Sequence, residues 1–159
     1  MTDDLRTAEL WIDALAKIWE FPDGSLGRVR SYRVIERNEV PAAITEFPSA
    51  LSYPTDLQVE YSQGGPTILI WQGATEFHLC PDLKPSNLAY ILPFYGRILG
   101  AAAGNMTLGG TVKFFQLVNG PGAIKLVQFG DAAPGAQHHG LLAAWTVKQN
   151  LTGSITIST

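Results

Sequence analysis

Leu57-Gln58-Val59-Glu60-Tyr61-Ser62-Gln63-Gly64-Gly65-Pro66-Thr67-Ile68-Leu69-Ile70-Trp71 is the stretch from which the fold can be read. Leu57, Val59 and Tyr61 alternate with polar neighbours, Gly64-Gly65-Pro66 supplies a turn, and residues 67–71 resume as a β-rich run, so the spacing predicts a hairpin. After Gln72-Gly73, residues 75–80 read as a third strand. Upstream, residues 40–55 hold Pro41, Pro48 and Pro54 among apolar side chains; each proline keeps its predecessor out of the helical region, which predicts an extended connection. Before it, residues 27–38 read as a strand. Arg28, Arg30, Tyr32, Val34 and Glu36 share one side and Val29, Ser31, Arg33, Ile35 and Arg37 the other. Neither side is uniformly apolar, as expected of an edge strand.

Two helices flank these strands. In residues 4–20, Leu5, Ala8, Ile12, Leu15 and Trp19 recur at steps of three and four, widened by Trp11 and Ile18, and Phe21-Pro22-Asp23-Gly24 ends the pattern. Thr2 or Asp3 is the expected cap. A second helix is expected from an N-cap at Ser86 to Gly104-Asn105, with Leu88, Ile91, Leu92, Tyr95, Leu99 and Ala102 as its apolar stripe. Pro93 falls inside it, where proline is tolerated only in a first turn, so the helix either kinks there or begins near Leu92.

Beyond Thr107-Leu108-Gly109-Gly110 the chain is β-rich again over residues 111–118, 123–129, 141–149 and 154–158. Turns at Asn119-Gly120-Pro121-Gly122 and residues 131–135 separate the first three. The order predicts one α+β domain over residues 1–159, mainly antiparallel, with both helices packed on one face of the sheet.

Charge is unevenly spread. Of 14 acidic and 11 basic side chains, nine acidic and six basic fall in residues 1–46, which leaves five of each for the rest. A long stretch this poor in charge points to surface covered by other chains. The net charge of −3 argues against a chain that coats nucleic acid, which needs a clustered basic excess. The acidic N-terminus lacks the basic start of a signal peptide, and no apolar run reaches the roughly 20 residues of a membrane span, so no membrane partner is expected.

Catalytic and ligand motifs are sparse. Cys80 is the single cysteine. His78 and Cys80 alternate on one strand face, but two ligands do not make a metal site. His138-His139 is a neighbouring pair whose rings point apart on extended backbone. Asp56, Glu60, Glu76, Asp82 and Asp131 form no evident catalytic pair. Gly104 to Gly110 follows a helix and precedes a strand, the reverse of a phosphate-binding loop. No metal, cofactor or enzymatic activity is therefore expected. Arg28, Arg30, Arg33 and Arg37 form the one basic cluster, suited to carboxylate partners.

The order of elements, together with Ile91-Leu92-Pro93-Phe94-Tyr95-Gly96-Arg97-Ile98-Leu99 leading through Gly104-Asn105-Met106-Thr107-Leu108-Gly109-Gly110 into a strand, resembles the tail-terminator proteins of long-tailed bacteriophages. The resemblance implies a structural virion subunit made in the host cytoplasm and placed at the tail or the head-to-tail junction. It would form a homo-oligomeric ring that caps the tail tube and meets the head connector, with nucleic acid at most passing through the lumen. The implied partners are further copies of the chain, the tail-tube protein and the head-connector protein, and Arg28, Arg30, Arg33, Arg37, Thr107, Leu108, Gly109 and Gly110 are the expected assembly contacts. A head-closure or minor tail protein has similar texture. The alternative from another class is a small ligand-binding or hydrolytic domain with a pocket near Trp71, Phe77 and His78.

Overall fold

A computed structural model of the chain describes residues 3–23, 27–33, 47–61, 63–80, 85–120, 122–130 and 138–151. The three-and-four spacing of the first segment becomes helix α1 (Asp3–Ile18), whose Trp11, Ile12, Leu15 and Ala16 are buried, followed directly by buried Trp19. Among the described residues six strands follow: β1 (Arg30–Arg33), β2 (Ser49–Glu60), β3 (Thr67–Cys80), β4 (Phe114–Leu117), β5 (Ile124–Phe129) and β6 (His138–Leu151). They form one sheet in the order β1-β2-β3-β6-β4, with β5 also paired to β6. All pairings are antiparallel except β1 with β2. The fold is thus α+β, as its sequence implies.

Two details depart from the sequence reading and a third adds to it. Residues 49–55 are not connection but the first half of β2. Pro54 lies beyond the described pairing of β1 with Ser49–Ser52, where β2 has no strand on its outer side among the described residues, and a bulge lies between Pro54 and Asp56. Residues 67–80 form one strand rather than two. Gly73 is not a break; a Cβ there would lie 2.3 Å from the Trp145 ring, so the glycine makes room for an aromatic side chain crossing the sheet. Third, the turn between β4 and β5 does not pair them with each other. Both run along the same side of β6, Leu117 opposite Trp145 and Ile124 opposite Ala143. The glycine-rich segment between them is an excursion, pinned at both ends by Ala144: Val118 N–H donates to its carbonyl and its N–H donates to the Ala123 carbonyl, each at 2.9 Å.

The central helix is divided. Helix α2 (Pro85–Ile91) starts at Pro85, one residue before the expected cap, and helix α3 (Pro93–Ala103) starts at Pro93, where a missing N–H costs nothing. The break shifts the apolar phase, so Ile91, Phe94, Ile98 and Ala102 are buried while Leu92 and Leu99 are 51% and 54% exposed. The expected stripe through Leu92 and Leu99 is therefore corrected by one position. The expected strand residues 34–38 and 154–158, the connection over 40–46, the turn at 131–135 and Thr2 lie outside the described residues.

The core fills the space between the helices and one face of the sheet. Trp11 packs edge-on to Trp145 at 5.5 Å and tilted to Trp71 at 5.7 Å; Trp19 meets Phe77 at 5.3 Å and Phe115 at 6.2 Å. Among these rings Trp145 Nε1–H donates to Thr75 Oγ1 at 3.1 Å, and Thr75 shares a 2.9 Å hydrogen bond with Ser52, whereas the buried Nε1 groups of Trp11 and Trp19 have no hydrogen-bond partner among the described residues. Such pairing avoids the cost of burying an unsatisfied donor.

Candidate functional site

The arginine segment expected to mediate assembly lies at one end of the sheet. Arg30 and Arg33 bound β1, and Arg28 forms an isolated bridge with Pro22 just before it; Arg37 lies outside the described residues. Arg30 and Tyr32 share the face away from the helices. Arg33 points to the helix side, where its Nε lies 2.9 Å from Asp13 Oδ1 of α1. The carboxylate that Arg33 meets is thus in its own chain. Between α1 and β1 runs an open groove of about 410 Å³ lined by Asp13, Lys17, Glu20, Tyr32 and Arg33.

Thr107, Leu108, Gly109 and Gly110 lie at the other end of the sheet, in the turn that leads from α3 to β4. Leu108 adopts φ +46° and is 1% exposed, so its side chain is a core anchor and not a contact surface. Gly109 and Gly110 hold φ of +69° and +85° and are exposed with Thr107. The turn fastens β4 through Phe115 N–H, which donates to the Met106 carbonyl at 2.6 Å. Beside it, an apolar groove of about 280 Å³ is lined by Leu99, Ala103, Met106, Phe115 and Leu117. The two expected assembly segments are therefore not brought together; four strand spacings, about 19 Å, separate the strands they flank.

A third feature occupies the sheet face away from the helices. Glu76 and His78 alternate on β3, Tyr53 reaches across from β2 and His138 from β6. Tyr53 O–H donates to Glu76 Oε1 at 3.0 Å, and His78 Nε2 lies 3.1 Å from Glu76 Oε2. The His78 Nδ1 in turn meets His138 Nε2. With an ionised Glu76 able only to accept, His78 donates from Nε2 and its Nδ1 accepts from His138, giving one consistent direction of donation. His78 is buried and packs at 4.2 Å against Phe129. Burial alone would raise Glu76, but hydrogen bonds from His78 and Tyr53 and the nearby imidazoles outweigh it and hold the carboxyl below 4.5. Burial, reinforced by Glu76, pushes the Tyr53 phenol up to about 12.

This cluster is absent from the candidates drawn from sequence, although Glu76-Phe77-His78 carried a signal: residues two apart on a strand share a face. His78 and Cys80 do not repeat that pattern, because a register shift falls between them and Cys80 joins the core. His138 and His139 do point apart, His138 toward His78. Trp71 and Phe77 project to the helix side and His78 to the other, so the three cannot line one pocket. Among the described residues, no three His, Cys, Asp or Glu side chains are placed to share a metal ion, and no helix is long and apolar enough to cross a membrane. No protein-family model matches the chain, and no curated protein matches it.

Proposed function

We propose that the chain is a structural subunit of a phage virion, forming a ring that caps the tail tube and joins it to the head connector. The observation that supports this reading is the placement of the two candidate contact segments on opposite sides of one sheet, each beside a groove of different character. A ring needs a heterologous contact, in which one patch meets a different patch on the next copy and a rotation closes the series. Two unlike surfaces on opposite sides of one sheet supply the two different patches that such a contact uses. The Tyr53–Glu76–His78–His138 cluster fits the same reading as an internal strut, since both His78 ring nitrogens are engaged within the chain.

Native mass measurement of the purified chain, followed by electron microscopy of mixtures with tail tubes, tests the proposal. Closed rings that seat on tube ends are the expected result. A chain that stays monomeric at all accessible concentrations and leaves tube ends bare would overturn it.

A further inference from the structure

Among the outer stretches of the described sheet, two lie diagonally across from each other. On one side the described β1 pairs with β2 from Ser49 to Ser52, and the outer edge of β2 from Tyr53 to Glu60 pairs with no described strand. On the other side β4 covers β6 from Trp145 to Lys148 and β5 covers it from His138 to Ala143, so β5 is itself an outer strand with no described strand beyond it. Unpaired edges are templates for pairing with another chain.

We propose that successive copies of the chain join by antiparallel pairing of the β2 edge of one copy with the β5 edge of the next, making the ring one continuous sheet; this rests on the ring reading above. Four properties of the two edges agree. The first is direction. β2 runs against β3, β3 against β6 and β6 against β5, so β5 runs opposite to β2, and a neighbour in the same orientation presents an antiparallel partner.

The second is facing. Through the registers Leu57–Trp71–Val147 and Val59–Leu69–Gln149, Leu57 and Val59 lie on the helix side; through Leu126–Leu141–Phe77, so does Leu126. These three apolar side chains are 41%, 44% and 44% exposed. On the other face lie Asp56 and Glu60 of β2 and Lys125 of β5, all exposed. Joined edges therefore put apolar against apolar on one face and opposite charges together on the other.

The third is selectivity. Opposite charges across a strand pair stabilise it and like charges destabilise it. Two β2 edges meeting each other would oppose Asp56 and Glu60 to their own copies, whereas β2 against β5 offers them Lys125. The charges thus disfavour the symmetric pairing and permit the head-to-tail one.

The fourth is closure. The middle of this β2 stretch is level with Thr146 of β6 and the middle of β5 with Leu141 and Gly140. Pairing them shifts each copy by about 18 Å along the strands for about 19 Å across four strand spacings. A sheet with that stagger closes when its strands tilt by about 45° to the ring axis, within the range that closed barrels use.

The test is a charge exchange read by native mass spectrometry of the full chain. Lys125→Glu and the pair Asp56→Lys with Glu60→Lys are exposed changes, and circular dichroism checks that each variant is folded. Each alone should weaken association about tenfold or more. An equimolar mixture of the two variants should assemble again, and only into rings of even copy number, because the first variant carries acidic charge on both edges, the second carries basic charge on both, and the two must alternate. Variants that assemble like the wild type, or a mixture that fails to recover, would overturn the edge pairing while leaving a wild-type ring standing. A wild-type chain that never assembles would overturn the ring reading and the pairing together.

Discussion

Arg33 Nε lies 2.9 Å from Asp13 Oδ1, tying the outermost strand on one side of the sheet to the helix that covers the core. Both side chains are partly exposed, so the pair contributes little on its own. Arg33→Ala or Asp13→Ala should lower stability by about 0.2 to 1 kcal/mol, with the double variant no worse than the poorer single one. Urea unfolding at low and high salt checks this, and the difference should shrink as salt rises.

Leu15 and Leu99 both belong to the apolar patterns of their helices, yet only Leu15 is buried. Leu15→Ala should cost about 2 to 5 kcal/mol, the usual range for a core leucine. Leu99→Ala should change stability by less than about 0.5 kcal/mol, as at other exposed sites. Denaturant midpoints of the two variants, compared at equal slope, separate the cases.

Glu76 should make stability depend on pH in the acid range. Its carboxyl is held below 4.5 in the folded chain, so its stabilisation is fully present above that value and is lost as pH falls through the lower, folded value. Urea midpoints from about pH 3 to about pH 7 should therefore rise more steeply for the wild type than for Glu76→Gln. Glu76→Ala leaves the buried His78 donor without its acceptor and should cost about 1 to 3 kcal/mol near neutral pH.

Gly109 sits at φ +69° with open space where a Cβ would go, so its substitution meets backbone strain and no clash. Gly109→Ala should cost about 1 to 2 kcal/mol. Gly140→Ala is a different case, since its Cβ would collide with the Phe77 carbonyl across the β3–β6 pair. That change should disrupt the sheet outright and show as loss of soluble folded protein.

Much of this architecture is legible in the sequence because periodicity is local. Trp11, Ile12, Leu15 and Trp19 declare α1 by their spacing, and Gly64-Gly65-Pro66 declares the hairpin between β2 and β3. Where the sequence misleads, a distant residue decides the matter. Gly73 reads as a break because its neighbours give no hint of Trp145, more than seventy residues on, lying over it. Asn119-Gly120-Pro121-Gly122 reads only as a turn between two strands, because nothing nearby reveals that both align on β6. The phase slip at Leu99 follows from one proline whose two possible effects the local sequence leaves open. Of the contact segments, Arg30 and Arg33 fall on an outer strand of the described sheet as their mixed facing implies, while Leu108 turns inward because its turn needs an anchor. The polar cluster stays hidden because its four members come from three strands.

The double attachment at Ala144 gives the loop between β4 and β5 a freedom of its own. Its two ends are fixed to the N–H and carbonyl of one residue, so the chain leaves and re-enters the sheet at almost the same point. Whatever lies between those ends bears on neither the register of β4 nor that of β5. Inserted sequence here would hang from the rim of the sheet like a pendant on a closed clasp. This makes the loop a natural port for an epitope, a fluorescent label or a foreign domain, and a place where length can drift between lineages while the sheet stays the same.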